Sequence, residues 1–228
     1  MIRVAETFES IQGEGERAGV RSVFVRTSGC NLRCVWCDTP YASWTPEGDS
    51  VPWQSLAEEA IAAEAGDVVL TGGEPMLVPD LVPLAAALRR AGKFVTIETA
   101  GTVQPAGGPV ECDLMSISPK LTNSTPAGHW RQRHDDRRDA PEVIAALVDR
   151  YRVQFKFVVD EPSDLVEIVD YLTRYPQIDR DRVFLMAQAT DAQTLRAKQR
   201  WIEPLAAEHG VRMSPRLHVE RWGDRRGV

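Results

Sequence analysis

Six short apolar or β-branched runs recur along the 228-residue chain: Ser22–Thr27, Asp67–Leu70, Phe94–Ile97, Asp113–Ile117, Val153–Val159 and Val183–Met186. Between them, apolar residues return every three or four positions over Trp53–Ala65, Pro79–Ala91, Pro141–Tyr151, Ser163–Tyr175 and Asp191–His209, the spacing of helices with one buried face. Gly92 stands where a C-cap glycine ends the second of these, and Pro204 predicts a kink or break in the last. Strands alternating with helices predict a parallel sheet built from right-handed βαβ units. About six units, in fewer residues than the ~250 of a closed eight-fold barrel, predict an α/β fold of one domain: a shortened or partial (β/α) barrel. Leu121–Ala140 breaks the rhythm with polar residues, Pro and Gly. It reads as a mobile surface loop, with a lid or partner-contacting segment as the functional alternative.

Composition narrows the class. Hydrophobic residues make up 43% and charged ones 26%, the profile of a globular protein in water, and a formal charge of −6 disfavours a direct nucleic-acid partner. No apolar run approaches a membrane span, and the opening Met1–Glu6 lacks a secretory hydrophobic region, so a cytoplasmic location is expected. Three of the four cysteines fall within eight positions, a clustering that a disulfide framework would not need.

Those three spell C-x3-C-x2-C at Cys30, Cys34 and Cys37. Three thiolates on one tight loop can hold three irons of a four-iron cluster and leave the fourth iron open, as a catalytic metal site requires. Zinc is the competing ion, but it wants a fourth ligand. The nearest histidine is His129, in the polar stretch, and the adjacent Asp38 is an unusual partner for three thiolates. Cys112, at the start of a strand, reads as a small hydrophobe. Gly13–Ala18 matches a dinucleotide-binding pattern, but a strand follows it where that mechanism needs a helix.

The cysteine loop after the first barrel strand resembles that of the radical S-adenosylmethionine (SAM) superfamily. Thr71-Gly72-Gly73-Glu74-Pro75, beyond the next strand, is similar to the superfamily's Gly-Gly-Glu motif. The resemblance implies a 4Fe-4S cluster whose open iron takes SAM, with the motif's backbone and the Glu74 carboxylate meeting the methionine amino group. Ser10–Gly15, Arg26, Cys37-Asp38-Thr39, Glu98–Gly101 and Ser118-Pro119-Lys120 are together similar, in order and spacing, to the 7-carboxy-7-deazaguanine synthase family. That family contracts 6-carboxytetrahydropterin to a deazapurine with loss of ammonia, on the path to queuosine.

What this resemblance implies is specific. Ile11, Gln12, Gly13, Arg26 and Thr71 would bind the pterin, with the planar guanidinium of Arg26 gripping its carboxylate at two points. Thr39 would help bind Mg²⁺, a hard ion taking oxygen ligands. Gly73, Ser118, Pro119, Lys120 and Ala187-Gln188-Ala189-Thr190 would line the SAM pocket. His218 would stand on a terminal strand whose tail folds toward the substrate, although Val219–Val228 extends past the family's usual end. A reductant such as flavodoxin or ferredoxin and a homodimer are also implied. Two rivals stand beside this: an activase taking hydrogen from a glycine of a partner protein, and a zinc-binding module without catalysis.

Overall fold

A computed structural model describes all 228 residues and contains one nine-stranded sheet. Its strands are β1 (Ile2–Ile11), β2 (Arg21–Thr27), β3 (Asp49–Val51), β4 (Asp67–Gly72), β5 (Phe94–Thr99), β6 (Leu114–Ile117), β7 (Val153–Val159), β8 (Val183–Ala187) and β9 (Arg212–Ser214). They lie in the order β3-β1-β2-β4-β5-β6-β7-β8-β9. From β2 to β9 every neighbour is parallel, while β1 and β3 add an antiparallel edge. The edges β3 and β9 do not meet, so the sheet stays open, as a partial barrel must. The six expected strands are all present; β1, β3 and β9 are additional.

The helices are α1 (Pro40–Ser43), α2 (Trp53–Ala62), α3 (Leu81–Arg90), α4 (Arg131–Arg138), α5 (Pro141–Arg150), α6 (Asp164–Arg174), α7 (Ala192–Glu208) and α8 (Leu217–Trp222). Three expectations need correction. Helix α7 runs through Pro204 as one element, so of the kink or break expected there the break does not occur. His218 stands on α8 and not on a strand. The stretch 121–140 is built of two 3-10 turns and α4 instead of an irregular loop. Helix α4 has a single buried residue, His134, so no apolar periodicity announces it.

The two faces of the sheet differ because side chains alternate along a strand. Val23 and Val25, Val68 and Leu70, Val95 and Ile97, and Met115 and Ile117 point one way. With Phe155, Phe157, Leu185 and the inward faces of the helices, they join a core of 42 buried residues. The intervening positions carry Arg26, Thr71, Glu98, Ser116, Lys156 and Met186, and all six line a cavity of about 440 Å³ on the opposite face. Parallel pairing sets them side by side, with Arg26 opposite Thr71 and Glu98 opposite Ser116. No helix is long and apolar enough to cross a membrane.

Candidate active site

The three cysteines follow β2 and all line that cavity. Their loop is held from several sides. Gly73 donates its N–H to Thr27 and Glu74 to Gly29, at 3.0 and 2.8 Å. A Cβ on Gly73 would collide with the Gly29 carbonyl, so only glycine lets the β4 turn approach this closely. The 121–140 segment braces the other side. The Arg33 N–H donates to His134 Nδ1 (3.1 Å), and Val35 and Trp36 donate to the Ser124 and Asn123 carbonyls at 2.9 and 3.0 Å. With Nδ1 accepting, Nε2 carries the His134 proton and faces Ser124 Oγ at 2.9 Å. His129 is exposed, packs at a tilt against Trp130 and does not line the cavity.

The donor set fits an iron–sulfur cluster. All four cysteines are free, and only Cys30, Cys34 and Cys37 open on the cavity. Three thiols on one loop, with the fourth cysteine elsewhere in the chain, suit three corners of a four-iron cluster. Burial pushes the Cys30 thiol up to about 11, aided by the Glu74 charge, and burial pushes the Cys34 thiol up to about 12. Metal loading must therefore displace protons from both.

Most of the predicted binding residues meet in this one cavity. Ile11, Gln12, Gly13, Arg26 and Thr71 line it, as do Thr39 and His218. So do Gly73, Ser118, Lys120, Gln188, Ala189 and Thr190. Lys120 Nζ donates to the carbonyl and hydroxyl of Ser118 at 2.8 and 2.7 Å, fixing that corner. Pro119 and Ala187 are the exceptions. Pro119 is buried outside the lining, and alternation along β8 turns Ala187 into the core. Glu74 also departs from expectation, because its carboxylate is fully buried and satisfied from within. It accepts from Thr99 Oγ1 (2.8 Å), Ala100 N (2.8 Å) and Met76 N (3.1 Å), leaving the Gly72-Gly73 backbone as the part facing the cavity.

The sequence does not announce a charge network that lines the same cavity. Lys156, only 3% exposed, donates to Glu14 Oε2 (2.8 Å) and Glu98 Oε1 (2.9 Å). Arg216 donates from Nε to Glu14 Oε1 (3.1 Å), from Nη1 to the Ala189 carbonyl (2.7 Å) and from Nη2 to Asp38 Oδ2 (3.2 Å). Burial works against the Glu14 charge, but Lys156 and Arg216 outweigh it and hold the carboxyl well below its ordinary range. Burial likewise holds His218 below the ordinary imidazole value, which keeps it neutral near pH 7. One signal could have found Lys156: in Val153-Gln154-Phe155-Lys156-Phe157, polar residues alternate with aromatic ones inside a strand that needs no solvent face.

The comparisons agree with this geometry. Residues 24–116 match the Radical SAM superfamily, a span that includes the cysteine loop, β4 and β5 and ends within β6. The 7-carboxy-7-deazaguanine synthase of Rhodopirellula baltica is 45% identical, over 100% of this chain and 89% of the relative. That of Halobacterium salinarum is 43% identical, over 98% and 91%. The crystal structure of QueE from Escherichia coli superposes with a TM-score of 0.67 at 23% identity, covering 93% of this chain and 92% of that one, and so supports the fold. Three cluster thiols, a sheet-lined cavity and full-length similarity coincide, and the chain belongs to the 7-carboxy-7-deazaguanine synthase family of the radical SAM superfamily.

Proposed function

We propose that the chain converts 6-carboxy-5,6,7,8-tetrahydropterin to 7-carboxy-7-deazaguanine with release of ammonia, using a 4Fe-4S cluster held by Cys30, Cys34 and Cys37. The supporting observation is the one cavity whose lining includes these thiols, Arg26 and the Lys156 network. When bound, the cluster and SAM supply a 5′-deoxyadenosyl radical able to take hydrogen from C6 of the pterin. The chain's own residues then have three tasks.

Arg26 donates from Nε to Glu6 (2.7 Å), which leaves both terminal nitrogens to fork onto the substrate carboxylate. Glu98 Oε2 has no protein partner and can accept from pterin N–H groups, while Lys156 holds that carboxylate in place. Thr39, 3.8 Å from Cys37 Sγ, offers a hydroxyl oxygen to Mg²⁺ beside the carboxylate. Gly73, Ser118 and Gln188 line the SAM side. A reductant such as flavodoxin or ferredoxin and a homodimer complete the reading.

The test is an anaerobic assay with carboxytetrahydropterin, SAM and reductant, following deazaguanine and 5′-deoxyadenosine together. Arg26→Lys keeps the charge but loses the two-point grip. The expected result is uncoupling: deoxyadenosine continues while product falls about tenfold or more, since a substrate displaced by ~1 Å leaves C6 out of line with the radical. An unchanged product ratio at wild-type rates removes Arg26 from the substrate site. Chelating divalent ions should lower turnover, and Thr39→Ala should raise the Mg²⁺ requirement without abolishing activity, because the hydroxyl is one hard ligand among several. Turnover indifferent to chelation removes the metal from the site.

A further inference from the structure

The last six residues, Gly223–Val228, form part of the cavity wall, and one side chain ties them there. Arg226 donates from Nε to Glu6 Oε2 (3.2 Å), from Nη1 to Glu47 Oε2 (3.0 Å) and from Nη2 to the Ala5 carbonyl (2.9 Å). Its guanidinium lies 3.9 Å from the centre of the Tyr41 ring. The Ala5 carbonyl is available because β1 bulges between Val4 and Glu6, which leaves Ala5 out of the register with β2. Gly223 and Gly227 have φ of +66° and +74°, a backbone state that favours glycine, so the segment turns at both ends.

Glu6 is the junction. Its Oε1 accepts from Arg26 Nε (2.7 Å) and from the Tyr41 hydroxyl (2.6 Å), while Oε2 faces Arg226. One carboxylate therefore holds the arginine of the cavity wall with one oxygen and the end of the chain with the other. An exposed ion pair contributes little by itself, and Arg226 is 45% exposed. Here three acceptors and an aromatic face meet one planar fork, which makes the grip directional.

We propose that Arg226 is a positioning residue: it latches the C-terminal segment against the cavity and, through Glu6, holds Arg26 in the orientation that grips the substrate carboxylate. This rests on the carboxypterin reading of Arg26. Without Arg226, Glu6 can rotate and the segment no longer covers the substrate side. Carboxypterin binding and its alignment should suffer while cluster and SAM do not.

The experiment uses anaerobic holoenzyme of wild type, Arg226→Ala, Arg226→Lys and Glu47→Gln. Readouts are iron content, KM for SAM and for carboxypterin, deoxyadenosine formed per product, and amide exchange over 223–228. For Arg226→Ala, carboxypterin KM should rise about tenfold and deoxyadenosine per product should rise with it, at unchanged iron content and SAM KM. Arg226→Lys should fall between the two, and Glu47→Gln, outside the cavity, should show the same pattern about two- to threefold. Exchange over 223–228 should quicken in the same order. Faster exchange with unchanged KM and coupling would overturn the positioning role, and unchanged exchange would overturn the latch. Wild-type protein that never turns over carboxypterin would overturn the function reading instead, and amide exchange would still decide the latch.

Discussion

Alanine at Cys30, Cys34 or Cys37 should abolish iron uptake and reduce activity to background, whereas Cys112→Ala should leave both intact. Wild-type protein reconstituted anaerobically should hold about four irons and four sulfides per chain. The three cavity thiols are the only cysteines facing the site, while Cys112 packs against the core before β6. With one of three ligands gone, a cluster that already leaves one iron without protein is held at two corners, and the loss should be complete. Iron loading should also weaken as pH falls, because burial has pushed the Cys30 and Cys34 thiols up and more protons must then be displaced. Stoichiometric zinc without iron uptake, or iron retained in the Cys34→Ala protein, would refute the assignment of these ligands.

Lys156→Met should destabilise the fold by ~3–5 kcal/mol, the cost of leaving buried carboxylates without their cation. Lys156 is 3% exposed and bridges Glu14 and Glu98, so its removal takes the shared cation from both carboxylates. Arg216 would still partner Glu14, which keeps the loss from being larger. Adding Glu98→Gln to Lys156→Met should recover a substantial part of it, since the second change removes the charge that the first one orphans. Urea midpoints of the single and double variants at pH 7 measure both effects. A Lys156→Met midpoint equal to wild type would mean that the three groups do not form a charged network. The same variant should lose carboxypterin turnover even where it remains folded, because Glu98 would no longer be held in place.

Lys156 also shows where reading residues in order runs out. Val153–Val159 is recognisable as a buried strand from its apolar residues, and the chain alternation alone turns Gln154 and Lys156 to the face opposite Phe155 and Phe157. Nothing local says which acids meet that lysine, however, since Glu14 lies 142 positions away. Helix α4 was illegible for another reason. Its stability comes from neighbours such as the Arg33 N–H at His134 and the Lys120 carbonyl at Arg138, and these leave no periodic trace. Pro119, Ala187 and Glu74 stand within motifs that do surround the cavity, yet motif membership cannot tell which face of a strand or turn a side chain takes.

The amino-acid sequence by itself determined the βαβ alternation, the cysteine spacing and the family, because each depends on residues close together in the chain, where periodicity and ligand geometry act locally. The tertiary structure decided which distant charges share a site. Glu14 meets Arg216 across 202 positions and Glu6 meets Arg226 across 220, pairings that only sheet order and the path of the final helix bring about. Coulomb attraction such as that between Glu14 and Arg216 is strong only once burial has removed water from between the groups, and burial is a property of the folded chain as a whole.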